Sequence, residues 1–330
     1  MPNVRKFCPY SLMNLIIGMS LCLLPFGLLA QQDPGLSMFS FNKITQNPAF
    51  SGLNGESYAQ IHYRNQWTQY QSSYDGAGNL GTQMAGISMP IPKINMGASV
   101  FYLSDNTPSG VGQQFVNIQL AKHFQLGGGQ LSAGVRFGLS SKSFDGRVFK
   151  PRDVNDPIIE PLSGKSISQS LPNLGLGVVY SKDNYSFGVN VDHINSPSFS
   201  FQNNAAIVLK PIYTVHANID FMLSDVINVQ PFAALRYYSG RLLPEGGTKI
   251  ELFDTFWIGG SYRLNDAVIG MVGISALKQK IDIGYSLDNT LINAAVKAPL
   301  SHEIFIKFLL PNLKAPSKGV PIKTPRFKIL

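Results

Sequence analysis

From about Ser57 to Leu310 the chain alternates apolar and polar residues with a period of two. In LSAGVRFGLS the apolar set is Leu131, Ala133, Val135, Phe137 and Leu139, and between them stand Ser132, Gly134, Arg136, Gly138 and Ser140. YSFGVNVDH places Tyr185, Phe187, Val189 and Val191 against Ser186, Gly188, Asn190 and Asp192. INVQPFAALRY sets Ile227, Val229, Ala233, Leu235 and Tyr237 against Asn228, Gln230 and Arg236, and KIDIGYSLD sets Ile281, Ile283 and Tyr285 against Asp282, Gly284 and Ser286. Such alternation puts the two sets on opposite faces of a pleated strand.

The pattern predicts strands near 57–66, 82–90, 94–103, 113–124, 130–141, 171–181, 184–193, 208–221, 226–238, 247–253, 256–264, 266–276, 279–290 and 301–310. Fourteen is an even number, as a barrel with both ends on the periplasmic side needs. The connections alternate: 67–81, 104–112, 142–170, 194–207 and 239–246 are long, while PIPK, QLGGG, KD, SD and DT are tight. Long outer loops and short periplasmic turns are the habit of outer-membrane barrels. Asn265-Asp266 is tight on the outer side, against that rule, and 247–253 looks short.

A water-soluble β-sandwich uses the same alternation and is the competing architecture. Strand length favours the barrel, since most segments run about 9–12 residues, nearer the membrane value than the 5–6 of soluble strands. The polar faces are rich in Gly, Ser, Asn and Gln, which suits a polar lumen. Tyr102, Phe124, Tyr180, Tyr237, Tyr238 and Tyr262 mark segment ends, as girdles would. The fold expected is therefore all-β: an antiparallel transmembrane β-barrel of about fourteen strands, with a plug-like N-terminal segment.

Composition agrees with that class. Only 14% of the 330 residues are charged, against roughly 25% in a typical soluble domain. Residues 1–30 read as a secretory signal peptide, with Arg5 and Lys6 ahead of an apolar run from Leu12 to Leu29 and the small residue Ala30 at the cut. An uncleaved anchor is the alternative, because the run is close to membrane-helix length. A lipoprotein reading through Cys22 fits poorly with Met19-Ser20-Leu21 before it. Both cysteines, Cys8 and Cys22, lie in this leader, so the processed chain would hold no disulfide. Loss of Arg5 and Lys6 lowers the net charge from +8 to +6, too diffuse to argue for nucleic acid.

Catalytic and metal chemistry finds little support. His62, His123, His193, His216 and His302 are scattered over different strands, and His302-Glu303 lacks the second histidine of a zinc-protease helix. Ser163 to Ser166, SGKS, imitates the end of a phosphate-binding loop, but Ile159 stands where its first glycine belongs. No G-x-S-x-G gives Ser88 or Ser275 a nucleophile elbow. In the loop 142–170, Asp145, Asp153, Asp156 and Glu160 are interleaved with Arg147, Lys150 and Arg152, unlike a calcium loop. No enzyme activity, cofactor or metal is expected. Gly175 and Gly177 read as places where side chains or a plug approach the wall.

Two end segments break the alternation. PNLKAPSKGVPIKTPRFKIL, residues 311–330, has four Pro, five Lys or Arg and no acid. It reads as an extended basic tail, either a solvated end or a handle for a periplasmic partner or anionic headgroups. Residues 31–56 begin QQDPGLSMFSFNKITQNPAFSG. One reading is a flexible periplasmic lead-in. The other tucks it into or across the periplasmic mouth, with Pro34 and Pro48 breaking regular structure, Phe39, Phe41 and Phe50 packing on the wall, and Asn42, Gln46 and Asn47 pairing with lumen groups.

That opening segment, with Gln32-Asp33-Pro34, Ser37, Phe41-Asn42 and Asn47-Pro48-Ala49-Phe50-Ser51-Gly52, resembles the N-terminal signature of the PorP/SprF family. So do Tyr63-Arg64-Asn65-Gln66-Trp67, Leu171-Pro172-Asn173 with Gly175 and Gly177, and Phe256-Trp257 with Ser261-Tyr262-Arg263. Gly284-Tyr285-Ser286 with Asp288, and Ser301-His302-Glu303-Ile304, complete an ordered set. Gly35, Phe50 and Asn289 depart from the pattern. The resemblance implies an outer-membrane barrel of the type IX secretion system of Bacteroidota, a non-enzymatic component that assists export or surface attachment of cargo such as gliding adhesins. Its partners would be secretion components, secreted cargo and outer-membrane lipid. A channel for small hydrophobic or polar solutes is the alternative function. The candidate plug or partner-binding residues are Asp33, Pro34, Phe41, Asn42, Asn47, Pro48, Phe50, Arg64 and Trp67.

Overall fold

Alternation is realised as a closed wall of antiparallel strands. The structure is a computed structural model, and it describes residues 35–53, 55–68, 81–107, 110–147, 165–201, 205–291 and 299–311. The leader, Asp33, Pro34, most of the loop 142–170 and the basic tail beyond Pro311 lie outside the described residues.

The first half of the wall comprises β1 (Ser57–Asn65), β2 (Gly81–Ile91), β3 (Met96–Asn106), β4 (Val111–Leu126), β5 (Gly129–Asp145), β6 (Ser166–Lys182) and β7 (Tyr185–Asp192). A separate hairpin follows, β8 (Ser198–Phe201) with β9 (Ala205–Val208). The wall resumes with β10 (Ile212–Ile219), β11 (Phe221–Ser224), β12 (Ile227–Tyr238), β13 (Arg241–Leu252), β14 (Phe256–Arg263), β15 (Ala267–Ala276), β16 (Ile281–Thr290) and β17 (Leu300–Leu310). β10 pairs with both β7 and β12, and β1 pairs with β17 from Ser57↔Leu310 to Asn65↔His302, which closes the cylinder. β10 and β11 form one stave interrupted at Asp220, whose N–H donates to the Asn184 carbonyl at 2.6 Å. The wall therefore has fourteen staves, joined as the sequence pattern implies.

Polarity is inverted relative to a soluble protein. On β5, Val135 and Phe137 are 48% and 59% exposed, whereas Ser132 and Ser140 are fully buried. The outward face of β4 from Val116 to Phe124 is apolar except for Lys122, near the tight turn. At about 3.3 Å per residue and a tilt near 40°, it covers roughly 20 Å of height, close to the apolar band of an outer-membrane barrel. Tyr237 faces outward, but Tyr238 points into the lumen, because adjacent residues cannot share a face. Only one of that pair belongs to a girdle.

Several strands extend a few residues past their expected ends, as β6 does to Ser166, and two connections differ in kind from the sequence expectation. β12 and β13 are joined by the tight turn Ser239-Gly240, so 239–246 is not a long loop and β13 is a full-length strand. Pro244 and the glycines Gly246 and Gly247 hide that strand from a propensity reading. The loop 194–207 holds the hairpin β8–β9, which folds inward, so Phe199, Phe201 and Leu209 join Met84, Phe101, Leu103 and Phe115 in one cluster.

Residues 35–53 occupy the barrel interior. They form short turns of helix, Phe39–Phe41, Lys43–Gln46 and Pro48–Phe50. Pro48 starts its turn at the first position, where a missing N–H costs nothing. Asn47 caps that turn by accepting from the Ala49 N–H at 2.9 Å. The sequence leaves the segment either a flexible lead-in or an element tucked into or across the periplasmic mouth; here it runs most of the barrel's length. Leu36 and Ser37 lie among residues near the loop ends of the strands, and Gly52 lies near the opposite end, its N–H donating to Ser88 Oγ at 3.0 Å.

Candidate functional site in the barrel lumen

Inward-facing positions around the barrel wall carry the groups that hold this segment. Arg64 and His62 come from β1, Asp288 from β16 and Glu303 from β17, each at a lumen-facing step of its alternation. All four are almost fully buried. Arg64 Nη1 lies 2.7 Å from Asp288 Oδ2 and 3.6 Å from Glu303 Oε2, and His62 Nδ1 lies 3.2 Å from Glu303 Oε1. Ser37 completes the group: its N–H donates to Glu303 Oε2 at 2.6 Å, and its hydroxyl contacts Arg64 Nη1 and Asp288. Two carboxylates out of water are costly unless paired and hydrogen-bonded. Here one guanidinium and the segment's own backbone share that task.

A second set grips the middle of the segment. Arg136 on β5 pairs with Asp192 on β7 and donates to the carbonyls of Ile44 and Thr45 at 3.1 and 2.7 Å. Gln119 on β4 donates to the same Ile44 carbonyl at 2.9 Å. These donors satisfy helix-end acceptors that the four-residue helix cannot satisfy itself. Gln60 on β1 donates to Asn42 Oδ1 at 2.6 Å. The Asn47 amide donates to the carbonyls of Val178 and Val189 at 3.3 and 3.1 Å and lies 3.1 Å from His216 Nε2. Lower down, Ser51 Oγ meets Ser99 Oγ at 2.7 Å and Gln119 Oε1 at 3.2 Å.

Aromatic contacts fill the space between. Phe41 packs on Trp257 and Phe305, with ring centroids 4.5 and 4.8 Å away, Phe39 packs on Phe232, and Phe50 on His216. Two wall glycines make room for backbone. A Cβ at Gly177 would collide with the Asn47 side chain, and one at Gly97 with the Ser51 carbonyl. Near the short-turn end, the segment and wall line a partly open pocket of about 280 Å³ that includes Lys43, Lys249, Lys307, Asp220 and Asp282.

Of the residues singled out from sequence, Phe41, Asn42, Asn47, Pro48, Phe50 and Arg64 meet in this lumen. Trp67 does not. It stands just beyond β1 at the loop end, with φ of 51° and its N–H donating to Ser301 Oγ at 3.0 Å. Asp33 and Pro34 lie outside the described residues. The site reading missed Ser37, Gln60, His62, Gln119, Arg136, Asp192, Asp288 and Glu303. All but Ser37 are polar residues at inward steps of the strands, so their polarity was readable, though not which of them meets the segment. Among the described residues, no three His, Cys, Asp or Glu side chains gather as a metal site.

The chain is similar in fold to a FadL homologue of Pseudomonas aeruginosa, at 10% identity over 79% of this chain and 92% of that one, with a TM-score of 0.47. It is likewise similar to the Acinetobacter baumannii outer membrane protein Omp33, at 10% identity over 79% of this chain and 100% of the other, with a TM-score of 0.45. No curated protein matches the chain. A family model, type IX secretion system membrane protein PorP/SprF, matches residues 28–308. The stretches that carried the family likeness supply Ser37, Arg64, Asp288 and Glu303, which close on one another in the lumen, and the chain belongs to the PorP/SprF family of type IX secretion system membrane proteins.

Proposed function

We propose that this chain is a non-enzymatic outer-membrane component of the type IX secretion system that assists secretion or surface attachment of cargo proteins, such as gliding adhesins, by binding protein partners. In this reading residues 1–30 are removed on export, both ends of the barrel domain face the periplasm, and the longer connections face the cell surface. The supporting observation is the filled lumen. Residues 35–53 are keyed into the wall by Arg64, Asp288, Glu303, Arg136 and Asn47, so the barrel offers surfaces and loops for docking. The segment acts as a plug. That occupancy speaks against the alternative of an open channel for small solutes.

The reading is tested by deleting the gene and following secreted adhesins. Loss of their export or surface attachment, restored by the wild-type chain, is the expected outcome. Normal display of every adhesin in the deletion strain overturns it. Affinity purification of the intact protein from detergent-solubilised membranes should recover secretion components or cargo.

A further inference from the structure

The three lysines of the short-turn pocket differ in how their charges are met. Lys249 on β13 and Lys307 on β17 each stand three residues from the short-turn end of their strand, and Lys43 joins them from the lumen segment. Lys249 Nζ lies 3.2 Å from Glu251 Oε2. Lys307 Nζ lies 3.9 Å from Asp282 Oδ2, and Asp282 also accepts from Ser275 Oγ at 2.6 Å. Asp220 accepts from the Asn228 amide at 3.2 Å, and Glu56, just before β1, is exposed. Lys43 is different. It is half-buried with its ammonium 5.6 Å from the centroid of the Phe50 ring, and among the described residues no carboxylate stands within ion-pair range of it. A ring face offsets about 0.5–2 kcal/mol, less than the several kcal/mol that taking an ammonium out of water costs.

We propose that this pocket binds a peptide carboxylate, a chain end or an acidic side chain, with the Lys43 ammonium as its partner. One unpaired positive charge matches one negative charge. A doubly charged phosphate would meet Glu251 and Asp282 as well, and like charges at that range repel. Phe41, Phe50 and Trp257 supply apolar faces for the group that carries the carboxylate. Asn218, Gln230 and Gln279 supply amides that pair with a peptide backbone. The volume, about 280 Å³, is at the lower limit of ligand sites, roughly 300 Å³ upward, and suits a short peptide end over a long acyl chain. Lys249, Lys307 and Asp282 project from lumen-facing steps of their strands, so the pocket belongs to the lumen and not to the lipid face. Its periplasmic address rests on the orientation adopted under the proposed function, so the peptide would be that of a periplasmic polypeptide.

The chain has two tryptophans, Trp67 and Trp257. In a Trp67→Phe background the indole of Trp257, which lines the pocket, is the sole reporter. The purified full-length protein in detergent is titrated with the dipeptide acetyl-Ala-Leu carrying a free carboxylate, with the same dipeptide amidated, and with inorganic phosphate. The proposal expects a saturable change in Trp257 emission with the acid, and roughly tenfold or more weaker binding of the amide and of phosphate. Lys43→Gln should lose a similar factor for the acid, and Lys43→Arg should restore it, with heat-modifiability confirming that both variants are folded. Equal response to acid and amide, undiminished binding in Lys43→Gln, or no saturable change overturns the proposal. Phosphate binding as tight as the acid also overturns it, in favour of a simple anion site. None of these results touches the secretion reading, which the deletion strain tests separately.

Discussion

The backbone N–H of Ser37 donates to Glu303 Oε2 at 2.6 Å, joining residues 266 positions apart and tying the start of the lumen segment to the last strand of the wall. Glu303 also faces His62 and Arg64, so one carboxylate links the segment to both strands of the barrel closure.

That link predicts a strong effect of removing its cation. Arg64→Met leaves Asp288 and Glu303 buried without a guanidinium and should destabilise the folded barrel by about 3–5 kcal/mol. Heat-modifiability on gels, or denaturant titration in detergent, reads the loss. Adding Asp288→Asn and Glu303→Gln to Arg64→Met should recover part of it, because the three groups act as one network. An additive loss in the triple variant would contradict the network.

Asn47 gives a test at constant volume. Asn47→Asp replaces the amide donors with a carboxylate facing the carbonyls of Val178 and Val189. The expected cost is at least about 1–3 kcal/mol, the penalty for buried groups left without partners. The variant should also expose the segment to protease added at the barrel mouth. Asn47→Asp with unchanged protease resistance would show that the amide's bonds to the wall matter little, since Asp keeps the acceptor for the Ala49 N–H.

Gly177 and Gly97 test the fit of the segment without touching it. A single methyl at Gly177 meets the Asn47 side chain, and one at Gly97 meets the Ser51 carbonyl. Gly177→Ala and Gly97→Ala should each loosen the segment while the wall still forms, since alanine is tolerated in a strand. A cysteine placed at Ser40 should then react with small maleimides several times faster than in the otherwise unaltered chain.

Much of the wall was legible because lipid outside and polar side chains inside enforce a strict period of two. Its failures have physical causes. β13 carries Pro244, Gly246 and Gly247, which weaken every strand signal, yet its neighbours β12 and β14 supply the pairing. The hairpin β8–β9 is only four residues per strand and gains its order by burying Phe199 and Phe201 against the lumen cluster, a tertiary effect no local pattern displays. In the lumen, Asn42, Asn47 and Phe50 were readable as turn formers and wall contacts. Their counterparts Gln119, Arg136 and Asp192 were not, because which inward polar residue meets which depends on stagger around the closed barrel.

The central claim is that the barrel is closed by its own N-terminal segment and works by docking proteins. Single-channel recording of the purified full-length protein in planar bilayers tests this most directly. The account predicts electrically silent insertions for the native chain, and openings when Gly177→Ala and Asn47→Asp are combined. Stable, reproducible conductance from the native protein would contradict it and favour a solute channel.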